Sequence, residues 1–177
     1  MSTPLTLSRP ATGDYDSGAA GYVALAPDIT DPVSQLISQR DQVGRRLSSV
    51  NATAAGHRYA PGKWSVREVV GHLCDAERIF AYRLLRIARG DETPLAGFDE
   101  NTYVPAGSFD GRELNALIKE WMATRDATIA LVRGLPTDAW TRRGIANGKG
   151  VTASALAYII LGHVEHHLKV LKDRYGL

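Results

Sequence analysis

Four stretches of this 177-residue chain carry apolar side chains at helical rather than strand spacing, and that periodicity limits the fold more than any other feature. The first opens at Asp31-Pro32, an acidic N-cap followed by proline at the first helical position, and carries Val33, Leu36, Ile37, Val43 and Leu47 toward Val50. The second opens at Ser65-Val-Arg-Glu68, a capping box in which serine and glutamate satisfy each other's free amides. Val66, Val69, Val70, Leu73, Ala76, Ile79, Phe80, Leu84 and Ile87 continue it to Gly90, a residue suited to a C-cap. The third starts at Asp110-Gly-Arg-Glu113 and runs through Leu114, Leu117, Ile118, Trp121, Ile129 and Val132 to Gly134. The fourth starts at Thr152 and runs through Leu156, Ile159, Ile160, Val164, Leu168 and Leu171 to about Tyr175. No segment shows strand alternation bounded by hairpin turns.

Four helices with one apolar face each predict an all-α four-helix bundle, with residues 30–177 as a single domain. Residues 1–29, rich in Gly, Pro, Ser and Ala, read as an extended N-terminal arm, either pinned to the body by Tyr15, Tyr22 and Val23 or free. The link 91–109 joins helices two and three. Extended, it reaches about 60 Å, against about 36 Å for a helix of the second one's length. It is long enough to return along the bundle, so helices two and three can run parallel. Connections of this length are uncommon without a task such as lining a site.

Composition narrows the class. Hydrophobic content of 44% with 23% charged residues fits an ordinary soluble globular chain. A formal net charge of +2 is too small for a nucleic-acid binder, and Arg45–Arg46 and Arg142–Arg143 are too short to form a basic stripe. The single cysteine, Cys74, excludes an internal disulfide framework and suits a reducing compartment. MSTPLTLSRP lacks the long apolar region of a secretory signal, and the most apolar window, Ala153–Leu161, is too short to span a bilayer. The expectation is a cytoplasmic protein acting on a small molecule, with neither a nucleic-acid nor a membrane partner.

The stretch LGHVEHHLKV holds three of the five histidines. Residues three and four apart on a helix share a face, so His163 can be paired with His167 or with His166 on one ion. A third ligand is available at His72, in VVGHLCDAERIF on helix two. Depth decides whether it can take part. At 1.5 Å per residue, His72 lies roughly 9 Å from the start of its helix, and His167 and His163 lie roughly 10 and 16 Å from the end of theirs. Antiparallel packing of helices two and four makes a three-histidine site possible, while parallel packing separates the groups by about 6–12 Å. Three imidazoles leave open positions on Zn²⁺, Ni²⁺ or Fe²⁺, an arrangement suited to chemistry rather than to a closed structural site. Spacing alone leaves equally open that these are helix-surface histidines around one satisfied core histidine.

Other residues carry weaker signals. Asp75 and Glu68 share the flank of His72 and can orient its ring or act as a base; surface charge is the competing reading. Cys74 points away from His72 and reads as a small buried side chain, and His57 as a surface residue. Glu165 reads as the surface partner of Lys169. Trp64, Trp121 and Trp140 read as packing residues, and Asn101 and Tyr103 as possible borders of a pocket.

The stretches YAPGKWSVREVVGHLCDAERIFAYRLLRIARGD, PLAGFDENTYV and ALAYIILGHVEHHLKVLKDRYG together resemble the DinB-like superfamily, in the branch of YfiT-type proteins classed as metal-dependent hydrolases. The resemblance covers nearly the whole chain from about Pro10. It implies a four-helix bundle with helices two and four antiparallel and a long crossover between helices two and three. It also implies a metal, zinc or nickel, on His72, His163 and His167, with His166 outside the ligand set. Relatives of this type use the metal to activate a low-molecular-weight thiol such as bacillithiol or mycothiol, and members often form homodimers. The expected activity is therefore metal-dependent transfer of a thiol to electrophiles, with Arg78 and Arg83, on charge alone, binding an anionic thiol cofactor. A metal-dependent ester or amide hydrolase is the alternative within enzymes, and a non-catalytic metal-binding dimer the alternative outside them.

Overall fold

The computed structural model describes residues 6–177; residues 1–5, which begin both the segment read as lacking a secretory signal and the expected arm, lie outside them. In chain order the helices are α1 (Ala20–Leu25), α2 (Pro32–Leu47), α3 (Ala52–Ala55), α4 (Val66–Ala88), α5 (Glu100–Gly107), α6 (Leu114–Arg133) and α7 (Ala153–Tyr175). A hairpin of β1 (Arg143–Ala146) and β2 (Lys149–Thr152) precedes α7. The long helices α2, α4, α6 and α7 are those of the four periodic stretches.

Their starts follow local chemistry. Asp31 accepts hydrogen bonds from the amides of Val33 and Ser34 at 3.0 and 3.3 Å, ahead of Pro32. Both bonds of the Ser65–Glu68 capping box form, at 3.1 and 2.8 Å. Thr152 caps α7 by accepting from the Ala155 amide. Helix α6 differs: it begins at Leu114 after a separate 3₁₀ turn, Phe109–Gly111. Asp110 caps nothing there because Ser65, the N-cap of α4, and Arg58, in the loop before it, hold its carboxylate.

Side-chain contacts give the directions of the four helices. On α4 and α6, Cys74 meets Leu117 and Glu77 meets Arg125, so the two helices run parallel. The 91–109 link has returned along the bundle, and α5 occupies part of it. Gln39 and Arg46 of α2 reach Leu161 and Leu177, so α2 and α7 run parallel. Trp64, beside the start of α4, accepts from the Tyr175 hydroxyl at the end of α7, and His72 lies against His163. Helices α4 and α7 are therefore antiparallel, as the depth of the histidines requires.

Two features depart from the sequence reading. The arm is not wholly extended, because residues 17–25 form a 3₁₀ turn and α1 packed on α7. Val23 is buried, Tyr15 and Tyr22 pack against the same core, and Leu7 bonds to Ile29 while the Tyr158 hydroxyl donates to the Leu7 carbonyl. Glycine at 162 permits this close approach: a Cβ there would stand 1.8 Å from the Tyr22 carbonyl oxygen. Gly162→Ala is expected to lift α1 from α7 and cost about 1–3 kcal/mol, as overpacking does. Limited proteolysis reads it, with cleavage before residue 30 faster in the variant than in wild type.

The second departure is the hairpin. Asn147 (φ 53°) and Gly148 (φ 71°) make the two-residue turn between its strands. The Asn-Gly signal stood in the sequence, but β1 buries only Gly144 and Ala146 and β2 buries the adjacent Val151 and Thr152, so four-residue strands leave no hydrophobic alternation to detect.

Candidate metal centre

His72 on α4 and His163 and His167 on α7 meet in the interior. The Nε2 atoms of His72 and His163 are 3.0 Å apart, and those of His167 and His163 are 3.2 Å apart. One nitrogen from each of the three rings lies within 4.8 Å of the others. All three side chains are buried. Burial pushes the His72 imidazole down to about 4 and keeps His163 and His167 well below the ordinary histidine value. Each ring is thus held neutral, the state in which imidazole binds a metal.

This donor set fits a divalent ion. Three ring nitrogens facing one another cannot be satisfied by mutual hydrogen bonds, because each neutral ring has one donor and one acceptor. A tetrahedral ion bonded at about 2.1 Å places its ligands roughly 3.4 Å apart, close to the separations found. The Nδ1 atom of His167 is buried without a hydrogen-bond partner among the described residues. Aromatic packing orients the ring instead: Trp64 stacks on His167 and tilts over His72 at 4.9 Å. Phe80 and Tyr22 stand edge-on to His163 at 5.3 and 5.2 Å.

The histidines border a cavity of about 500 Å³. Its walls come from the arm (Asp16, Tyr22), from α4 (Phe80, Arg83), from the crossover (Phe98, Glu100) and from the hairpin and α7. The Asp16 carboxylate faces Lys149 at 3.5 Å, while Glu100 has no cationic partner among the described residues. Burial, and then Glu100, raise the Tyr22 phenol above its ordinary value, so it stays protonated and able to donate.

The other sequence-selected residues divide clearly. Arg83 lines the cavity, but Arg78 does not: it pairs with Glu120 on α6 at 2.8 Å. Glu68 is committed to the capping box and Arg58. Asp75 is half-buried, with Arg78 3.7 Å away, and burial raises its carboxyl above the usual range; it does not line the cavity. A shared helical flank with His72 was therefore too coarse a criterion. His166 lines the cavity but stands outside the trio, with Tyr22 at 5.6 Å. Cys74 is buried against the Leu117 carbonyl with its thiol pushed up to about 12, so it is an inert packing group. Asn101 borders a smaller cavity beside His167, and Tyr103 packs on Phe98. Glu165 accepts from Gln39 at 2.6 Å, and Lys169 pairs with Asp173 instead. Sequence reasoning missed Tyr22, Trp64 and Glu100 as site residues, since none belongs to the periodic face that carries the histidines.

A family model for the DinB superfamily matches residues 35–171. The chain belongs to the DinB superfamily. Within reach of that match is a protein of Oceanobacillus iheyensis named "Putative metal-dependent hydrolase OB0413", 24% identical over 148 residues that cover 82% of this chain and 84% of the relative. Among solved structures, Bacillus subtilis YfiT is described as "a probable metal-dependent hydrolase with an unusual four-helix bundle topology". It superposes with a TM-score of 0.72 at 19% identity, over 82% of this chain and 86% of that one. A mycothiol-dependent maleylpyruvate isomerase superposes with a TM-score of 0.63 at 17% identity, over 82% of this chain but only 59% of the isomerase. These likenesses show that the chain shares its overall fold with both structures. Among the described residues, no helix is long and apolar enough to cross a membrane.

Proposed function

We propose that this DinB-superfamily chain is a metal-dependent enzyme whose ion is held by His72, His163 and His167, and that it transfers a low-molecular-weight thiol to an electrophilic small molecule. One observation carries the reading: three neutral, buried imidazoles converge at the wall of a cavity large enough for a small organic ligand. A zinc or nickel ion bound there, with positions left open, supplies Lewis acidity and stabilises a thiolate.

The chain's own residues supply the rest. Trp64, Phe80 and Tyr22 hold the imidazoles in place and keep bulk water from them. The protonated Tyr22 hydroxyl is available as a donor to a developing negative charge. Glu100, on the cavity wall without a cationic partner, is the carboxylate available to accept a proton. The fold likeness to the mycothiol-dependent isomerase supports the thiol. The names carried by the Oceanobacillus and Bacillus relatives favour a second reading, ester or amide hydrolysis.

Protein purified without added metal provides the test. The protein is expected to carry about one zinc or nickel per chain by elemental analysis, and to conjugate a panel of electrophiles with bacillithiol or mycothiol only when that metal is present. Ester turnover that is abolished by chelation but indifferent to thiol would select the hydrolase. Protein that retains no metal, in a wild type that is folded, would remove both. A cytoplasmic setting and a homodimer complete the proposal, the latter read by light scattering.

A further inference from the structure

The cavity beside the histidines contains an uncompensated charge. Three charged residues are buried among the described residues: Glu77, Arg125 and Arg83. The first two bind each other. Arg83 is 8% exposed and, among the described residues, makes a single hydrogen bond, from Nη2 to the Ala96 carbonyl at 2.8 Å, with no carboxylate within ion-pair distance. A guanidinium does not shed its proton, and the partial desolvation of this one is offset by no carboxylate among the described residues.

The surroundings of Arg83 say what would cancel it. The rings of Phe80 and Phe98 lie 5.9 and 5.8 Å from the guanidinium carbon and flank it. Nη2 gives one of its two protons to Ala96, and its second proton, with the neighbouring Nε–H or Nη1–H, still offers a two-pronged edge that suits a planar oxyanion. The same Phe80 ring is 5.3 Å from the His163 ring, so guanidinium and imidazole are no farther apart than those two legs combined. Leu156 and Ile159 add apolar lining to the same cavity. The other cation on the wall, Lys149, is largely exposed and already faces Asp16.

We infer that Arg83 is the counter-ion of a carboxylate on the bound small molecule, which lies along Phe80 with its apolar body and presents its other end to the three histidines. The substrate class is thus a short, mostly apolar carboxylic acid. The inference rests on the proposed function in taking this cavity to be the substrate's, and it specifies what that reading leaves open.

Benzoate and benzamide, alike in shape and different in charge, are the probes. Their binding to the full chain is measured by calorimetry on metal-free protein, so that no ion competes for the carboxylate. Wild type is expected to prefer benzoate by tenfold or more, and Arg83→Gln to lose that preference while keeping its thermal midpoint. Metal-free His72→Ala is expected to retain it, which holds even if metal dependence or thiol transfer proves wrong. Should the glutamine variant not fold, the ¹⁵Nε resonance of Arg83 in wild type gives the answer directly, shifting with benzoate and not with benzamide. An equal affinity for the two probes in wild type, a preference undiminished in a folded Arg83→Gln, or an unmoved Nε signal overturns the assignment.

Discussion

His163→Ala is expected to abolish metal retention, whereas His166→Ala, three residues on along α7, is expected to leave it near one ion per chain. His163 occupies the middle of the trio, with the nitrogens of His72 and His167 at 3.0 and 3.2 Å, so its removal leaves two rings with no shared third donor. Loss of an outer hydrogen-bond partner alone costs a metal site 10–100-fold in affinity, so deletion of a ligand should cost at least about a hundredfold. Activity is expected to fall with it. The contrast between the two variants decides the face of α7, since spacing allowed His163 to pair with either neighbour. Equal metal content in both variants would place the ion elsewhere.

The pH dependence follows from the same burial. His72 takes its proton at about 4 in the fold and near 6.5 when unfolded. Between those values the unfolded chain binds more protons, so stability rises with pH through that window. It is complete above about pH 6.5 and is lost as the pH falls toward 4. His72 alone accounts for on the order of 3 kcal/mol. His163 and His167, also lowered, act in the same direction. Protons compete with the ion for the same nitrogens, so metal affinity declines over that range as well. Thermal melts of metal-free protein between pH 7 and 4.5 measure the first effect. A level midpoint across that range would contradict it.

How much of this was legible in the sequence depends on what kind of information each part required. The four helices were readable because apolar periodicity and the caps at Asp31, Ser65 and Thr152 are local. The three histidines were readable in part: spacing let His163 pair with His166 or His167 and gave His72 a matching depth once α4 and α7 are antiparallel, while the choice of His167 came from the family resemblance. The cavity around them was not readable. Tyr22 reaches His163 from an arm without periodicity, by way of a contact that only glycine at 162 allows. Glu100 arrives on the crossover, and Asn147 and Lys149 on a hairpin too short to show alternation. Asp75 and Arg78 show the converse failure. Helical flank put Asp75 beside His72 and charge alone put Arg78 with Arg83, but the neighbouring α6 draws Arg78 to Glu120, a tertiary pairing with no local signal. The buried ion pair left a trace in the form of gaps. The third stripe jumps from Trp121 to Ile129, and Arg125 stands midway on the same face.

That pair predicts the largest effect on folding. Arg125 donates from Nε and Nη2 to the two carboxylate oxygens of Glu77, both at 2.8 Å, with the side chains 0% and 2% exposed. Its Nη1 donates to Gln39, 2.8 Å away, and its guanidinium lies over the Trp121 ring at 5.0 Å. Gln39 in turn donates to the Leu161 carbonyl and to Glu165. One polar network therefore ties α2, α4, α6 and α7 together at mid-bundle, and α7 is tied within two residues of His163. Glu77→Leu strands a fully buried guanidinium and is expected to cost about 3–5 kcal/mol, a large part of the stability of a domain this size. Arg125→Leu strands a carboxylate, which a proton can neutralise where nothing neutralises a guanidinium, so it should be the milder of the two. In the double variant neither charge is left alone, and two leucines fill much of the vacated volume. It should recover most of the loss, because the Coulomb attraction of a buried pair is largely consumed by its own desolvation. Urea unfolding of the four proteins measures the coupling. Additive losses in the double variant would mean that the bundle depends on each side chain for its packing and not on their pairing.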